Sequence, residues 1–188
     1  MKTGDKFTNI DYNLRKFRND DVCPITKYAN NQNIAKWLTK EFPSPYSKKD
    51  AEDFINITSK KEFMKVFAIE VNGEAAGSIS LSCNSKNEKN ISFNSNKNIK
   101  KAEIGYWLAE KYWNNGITTS VIKEIVKYGF NNYKIECIYA TTFENNIISQ
   151  KILSKAGFNT DSKIKKIIKN NESYDVIIYS IKNDSNSL

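Results

Sequence analysis

Apolar positions recur along this chain in two rhythms, every second residue and every third or fourth, and the switches between them mark its elements. Asp11 to Phe17 alternates and predicts a first strand, after which Asp20 and Asp21 offer N-caps to a helix carrying Val22, Ile25, Tyr28 and Ala29. A second short helical stretch is expected around Ile34 to Leu38. Phe42-Pro43-Ser44-Pro45-Tyr46 predicts a rigid loop, because each proline disfavours helix in the residue before it. Ser47 then caps a helix reaching about Lys60. Val66 to Val71 and Ala75 to Leu81 are strand-like runs around Asn72-Gly73, a dipeptide that accepts the positive φ angles of a tight hairpin turn. Cys83 to Lys100 is rich in Asn, Ser and Lys, with Ile91, Phe93 and Ile99 as its apolar positions, and predicts a long mobile loop.

Ala102 to Leu108 returns to a strand, and Asn114-Asn115-Gly116 leads into a helix from Ile117 to Asn131. There Val121, Ile122, Ile125, Val126 and Phe130 share one face. Ile135 to Thr141 is the next strand. Asn145 or Asn146 caps a helix that turns Ile148, Ile152, Leu153 and Ala156 inward and stops at Gly157. Strands at Phe158 to Ile168 and Tyr174 to Ile181 flank the turn-prone Asn170-Asn171-Glu172. This order describes an α+β protein with a mixed sheet covered by helices. One domain over residues 1–182 with a polar tail at 183–188 is expected, with no repeat and no linker.

Composition narrows the chemistry. The chain has 188 residues, 39% of them hydrophobic, enough for one sizeable core. It shows no secretory pattern at its start and no run near the ~18 apolar residues of a membrane span, so a cytoplasmic location without membrane contact is expected. There is no histidine, which removes Ser-His-Asp and Cys-His catalysis and histidine-based metal sites. Cys23, Cys83 and Cys137 are too few and too scattered for a disulfide framework or a zinc site, and three reduced, buried thiols are expected. No metal is expected. The net charge of +8 suits nucleic acid, a membrane surface or a phosphorylated cofactor without choosing among them, and solvated loops would account for much of it.

A strand feeding a glycine-containing loop that opens a helix can hold phosphate on its free N–H groups and on the helix dipole. Asn114 to Thr119 occupies such a place, although an ordinary turn into a core helix has the same spacing. No nucleotide-triphosphate or dinucleotide glycine pattern occurs.

Ala102-Glu103-Ile104-Gly105-Tyr106-Trp107-Leu108 followed by Tyr112-Trp113-Asn114-Asn115-Gly116-Ile117-Thr118-Thr119 resembles the acyl-CoA-binding segment of the GNAT acetyltransferases. The resemblance is to the ribosomal-protein N-terminal acetyltransferase (RimJ/RimL-like) branch. Asn146-Ile147-Ile148-Ser149, Lys155-Ala156-Gly157-Phe158 and Tyr174 to Ser180 extend it, as do Leu14-Arg15, Asp20-Asp21 and Trp37-Leu38 near the front. It implies a mixed, centrally splayed sheet flanked by helices on both faces, with acetyl-CoA in the opening.

By resemblance, the main chain of Tyr106, Trp107 and Leu108 pairs with the pantetheine arm, and a backbone N–H near Tyr106 or Trp107 is the oxyanion donor. Asn115, Gly116, Thr118 and Thr119 hold phosphate, with Ile117 in the same cofactor-binding stretch, and Asn146 faces the CoA side. Asn114 and Thr118 depart from the branch, which usually has glycine or alanine there, and this bears on close backbone approach to the pyrophosphate. Glu103 is the candidate base, acting through a water, with a surface or ion-paired carboxylate as the plain alternative. Ser149 is the candidate partner of the CoA sulfur, with a simple first-turn serine as its alternative.

Trp37, Tyr46, Phe143 and Tyr174 are either acceptor-pocket walls or core. Lys163, Lys165, Lys166 and Lys169 would make a basic rim that disfavours polycations but tolerates a peptide N-terminus, whose α-amine has a pKa near ~8. The expected acceptor is a protein N-terminal amine, such as that of a ribosomal protein. A small amine (antibiotic or polyamine) and a non-catalytic acyl-CoA- or RNA-binding module are the alternatives. Nucleic acid is not the expected partner, and a monomer or homodimer would serve.

Overall fold

A computed structural model of the chain describes residues 10–58, 60–83, 99–169 and 172–183. Its strands are β1 (Tyr12–Arg15), β2 (Met64–Val71), β3 (Glu74–Ser82), β4 (Ile99–Leu108), β5 (Ile135–Phe143), β6 (Asn159–Lys169) and β7 (Glu172–Lys182). Its helices are α1 (Val22–Ala29), α2 (Gln32–Ala35), α3 (Lys48–Thr58), α4 (Ile117–Asn132) and α5 (Ile147–Lys155). The strands form one sheet in the order β1-β2-β3-β4-β5-β7-β6. Every pairing is antiparallel except that of β4 with β5, the two strands joined through α4.

Alternation sorts the side chains onto two faces. Ile69, Ile79, Leu81, Ala102, Ile104, Leu108, Ile138 and Ala140 belong to the large core shared with Val121, Ile122 and Ile125 of α4 and Leu153 of α5. Ala68 and Ala75 turn the other way, against Ile25 and Ala29 of α1, Ala51 of α3 and Tyr46. The mixed sheet with helices on both faces is therefore present as expected. The Asn72-Gly73 hairpin is present too, with φ of 52° and 80° at the two turn residues.

Several boundaries differ. Strand β4 starts at Ile99, because parallel pairing with β5 begins at Ile99↔Ile135. The rest of the expected 83–100 loop, residues 84–98, lies outside the described residues, as do turn positions 170 and 171. Helix α2 starts two residues early, because the Asn31 side chain caps it by accepting from the Asn33 N–H at 2.7 Å. It gives way after Ala35 to tighter turns that carry the chain to Leu38. Ile148 was expected inside but is 61% exposed, and the inward stripe of α5 is Ile152, Leu153 and Ala156. Cys23 is exposed and Cys137 half-buried, so only Cys83 is the buried thiol expected of all three.

At the front of the sheet, Arg15 of β1 makes a paired hydrogen bond to both carboxylate oxygens of Asp21, each at 2.7 Å, and a further ion pair with Glu70 of β2. Asp21 is 3% exposed and also accepts the Arg18 N–H at 2.8 Å. Burial alone would raise its carboxyl, but the Arg15 guanidinium and the Arg18 N–H hold it below the ordinary aspartate value. The loop that follows α2 contains a cis Ser44-Pro45 peptide bond.

Candidate active site

The parallel ladder between β4 and β5 is short, running from Ile99↔Ile135 to Glu103↔Tyr139. Past that point the strands part. Strand β4 continues beside β3 to Gly77↔Leu108, and β5 continues beside β7 to Phe143↔Val176. Among the described residues, no strand fills the gap between Ile104–Leu108 and Ala140–Phe143.

Which groups line the gap follows from register. The Ala109 N–H donates to the Ala76 carbonyl at 2.8 Å, and these residues continue the antiparallel register of Gly77↔Leu108. Residues 103, 105 and 107 therefore aim N–H and C=O at β3, whereas Tyr106 and Leu108 aim theirs at the gap. This corrects the expectation for Trp107, whose main chain pairs with Ser78 and is spent on the sheet. It also leaves the Tyr106 N–H, rather than that of Trp107, outside the β3 ladder. The Leu108 carbonyl already accepts the Trp113 indole N–H at 2.7 Å, so its N–H is the group it brings to the gap without a competing bond from that ring.

At the end of β4 the chain turns through Asn114 (φ 63°) and Gly116 (φ 77°) into α4. Asn tolerates the left-handed region better than most residues, so Asn114 reaches the backbone shape that glycine would supply. Asn115 Nδ2 closes the turn on the Trp113 carbonyl at 2.9 Å. Ser120 is the first residue whose N–H closes a turn of the helix, onto Gly116 at 3.1 Å, leaving the N–H groups of Ile117, Thr118 and Thr119 outside the helical ladder. The Ile117 side chain is 2% exposed and belongs to the core, so only its main chain can meet a ligand.

Side chains divide between the two faces of the gap. On the α5 face, Asn146 caps α5 by accepting from the Ser149 N–H at 3.1 Å, and Ser149 Oγ lies 2.8 Å from the Tyr106 hydroxyl. Burial pushes the Tyr106 phenol up to about 12. On the opposite face, Glu103 accepts from the Tyr139 hydroxyl and from Thr141 Oγ1, each at 3.4 Å. Burial and then the Glu103 carboxylate raise Tyr139 to about 12, so it stays a neutral donor. The two hydroxyl partners of Glu103 and the phenol beside Ser149 were not singled out from sequence. Their signal was partial: the two-residue period of β4 and β5 sets Glu103 opposite to Tyr106 and puts Tyr139 with Thr141, while the pairing of the two strands brings these groups together.

Beyond Thr141 on the Glu103 face, Phe143 packs against Trp37 and Tyr174, with ring centroids 6.2 and 5.4 Å apart. Tyr46 is instead buried beside Phe42 and Ala51 in the second core. Lys169 does not stand free on a basic rim. Its ammonium donates to the carbonyls of Ala35 (3.0 Å), Lys36 (3.1 Å) and Leu38 (2.7 Å), and burial lowers its pKa. Lys166 is exposed, while the side chains of Lys163 and Lys165 lie outside the described residues. No cluster of three or more potential metal ligands occurs among the described residues.

A parallel strand pair that opens beside a helix N-terminus, with β4 main-chain groups turned to the opening, is the arrangement expected of the acyl-CoA-dependent acetyltransferases. The chain belongs to the acetyltransferase (GNAT) domain family, whose model matches residues 12–159. It is 35% identical over 83 residues to the uncharacterized N-acetyltransferase YoaA of Bacillus subtilis, a stretch covering 44% of this chain and 47% of that protein. Its fold is similar to that of Mycobacterium smegmatis RimJ, solved in complex with CoA-disulfide. That likeness has a TM-score of 0.78 and 18% identity, over 93% of this chain and 83% of that one. It is also similar to Vibrio cholerae spermidine N-acetyltransferase, solved with CoA and spermine, with a TM-score of 0.70 and 21% identity over 91% and 95% of the two chains.

Proposed function

We propose that this chain transfers the acetyl group of acetyl-CoA to a primary amine, and that the amine is the N-terminal α-amine of a protein. The observation that carries the reading is the gap itself, with Ser149 on one face and Glu103 on the other.

Acetyl-CoA supplies the thioester. The amide N–H groups at Ile117, Thr118 and Thr119 suit its pyrophosphate, with Gly116 and Asn115 shaping the turn. Tyr106 and Leu108 offer main-chain partners to the pantetheine arm, and the Tyr106 N–H is placed to receive the oxyanion. Glu103 takes the amine proton through a water, held by Tyr139 and Thr141 on the acceptor side. Ser149 donates to sulfur from the other side. Asn146, expected on the CoA side of the cleft, serves this arrangement by fixing the first turn of α5 through its Oδ1.

An α-amine suits the acceptor face. Trp37, Phe143 and Tyr174 offer apolar surface to a first side chain, and the anchored Lys169 ammonium stands 5.6 Å from the Phe143 ring centroid. That fixed positive charge opposes a polyamine more than a singly charged terminus.

The test is free-thiol release from acetyl-CoA against N-terminal peptides, polyamines and aminoglycosides. Peptide-dependent release is expected, with Glu103→Gln lowering kcat by about 100-fold and shifting its pH profile. Release with polyamines alone would replace the acceptor, and absence of CoA binding would overturn the whole reading.

A further inference from the structure

Two hydroxyl groups meet on the α5 face of the gap, and each has a single hydrogen. Ser149 Oγ and the Tyr106 phenol oxygen are 2.8 Å apart, so one hydrogen lies between them and the other is left over. A phenol is the stronger donor and the weaker acceptor of the two. Tyr106 therefore donates to Ser149, and the serine hydrogen is the one free to turn toward the gap. Both oxygens are held from behind. The Tyr106 ring packs against the main core, and the Ser149 backbone is pinned by Asn146 Oδ1 at 3.1 Å.

We infer that Tyr106 is a positioning residue for the leaving group: its phenol occupies Ser149 Oγ as a donor, so that the serine hydrogen points at the thioester sulfur. This rests on the acyl-transfer reading above. In that reaction the amine lone pair forms the C–N bond and the C–S electron pair leaves on sulfur. One proton moves, in net, from nitrogen to sulfur. The hydrogen bond from Ser149 strengthens as charge collects on sulfur, and both hydroxyls finish protonated. With its phenol raised to about 12 by burial, Tyr106 remains a neutral donor wherever the amine is a free base. Without that phenol the serine hydrogen has no fixed direction.

The experiment follows the thiolate absorbance of CoA bound to the wild type, Tyr106→Phe, Ser149→Ala and the double variant as pH is raised. The wild type is expected to bind CoA with a thiol pKa below that of free CoA. Each single variant raises it by about one unit, and the double variant raises it no further. In acetyl transfer, Tyr106→Phe lowers kcat about tenfold at an unchanged KM for acetyl-CoA. A wild-type thiol pKa in Tyr106→Phe, or additive losses in the double variant, would overturn the inference and leave acyl transfer standing. No CoA binding by the wild type would overturn both. A thiol shift that follows this pattern while no amine is acetylated supports the inference and removes only the acceptor.

Discussion

Gly116 is the residue on which the phosphate-binding turn depends most directly. Its φ of 77° costs an L side chain about 1–2 kcal/mol, and the strain falls where three helix N–H groups converge. Gly116→Val is expected to weaken CoA binding by about tenfold or more while leaving the melting temperature within a few degrees, as calorimetric titration beside a thermal melt would show. Asn114 illustrates what single residues tell a reader of sequence. Its departure from glycine was visible, but its consequence was not, because only the φ of 63° reveals that Asn adopts the required shape. Lys169 is the converse case. Read as one of four surface lysines, it is anchored on three carbonyls 131 to 134 residues away in sequence, a contact with no local signature.

Among the elements, β4 was the most legible, since its apolar alternation separated Ala102, Ile104 and Leu108 from Glu103, and the large core contains the first set. Its start was hidden, because Ile99 follows a polar run and joins the sheet through pairing with distant Ile135. The direction of each main-chain amide was hidden too, as it depends on the partner strand and its register. Strand β3 carries a related constraint. A Cβ on Gly77 would lie 2.4 Å from the Trp107 carbonyl oxygen, so that carbonyl or β3 must move. Gly77→Ala is expected to destabilise the fold by about 1–3 kcal/mol and to disturb the gap at Leu108. Urea unfolding would give the first quantity and CoA titration the second.

At the scale of the whole molecule, the Arg15, Asp21 and Glu70 cluster ties the turn before α1 to the first two strands. Asp21 titrates below its unfolded value near ~3.9. It therefore contributes stability above that pH and loses the contribution as pH falls through the lower, folded value. Asp21→Asn is expected to lower stability at neutral pH by about 3 kcal/mol, since it breaks a buried pair. It should also flatten the acid limb of a stability profile followed by circular dichroism. The overall class could be read from the order of elements and from motif resemblance. The grouping of Glu103, Tyr139 and Thr141 needed the parallel crossover through α4, a contact between segments far apart in sequence.

The short β4–β5 ladder also makes this sheet a structure with a seam. Four residue pairs, from Ile99↔Ile135 to Glu103↔Tyr139, join its halves in this ladder, and a bound pantetheine arm would add rungs where the strands separate. Amide hydrogen exchange would then change in an alternating pattern on adding CoA. Tyr106 and Leu108 would slow, while Gly105 and Trp107, already bonded to β3, would hardly change. The cosubstrate would act as a removable piece of secondary structure, and resistance of the seam to opening would rise with its concentration.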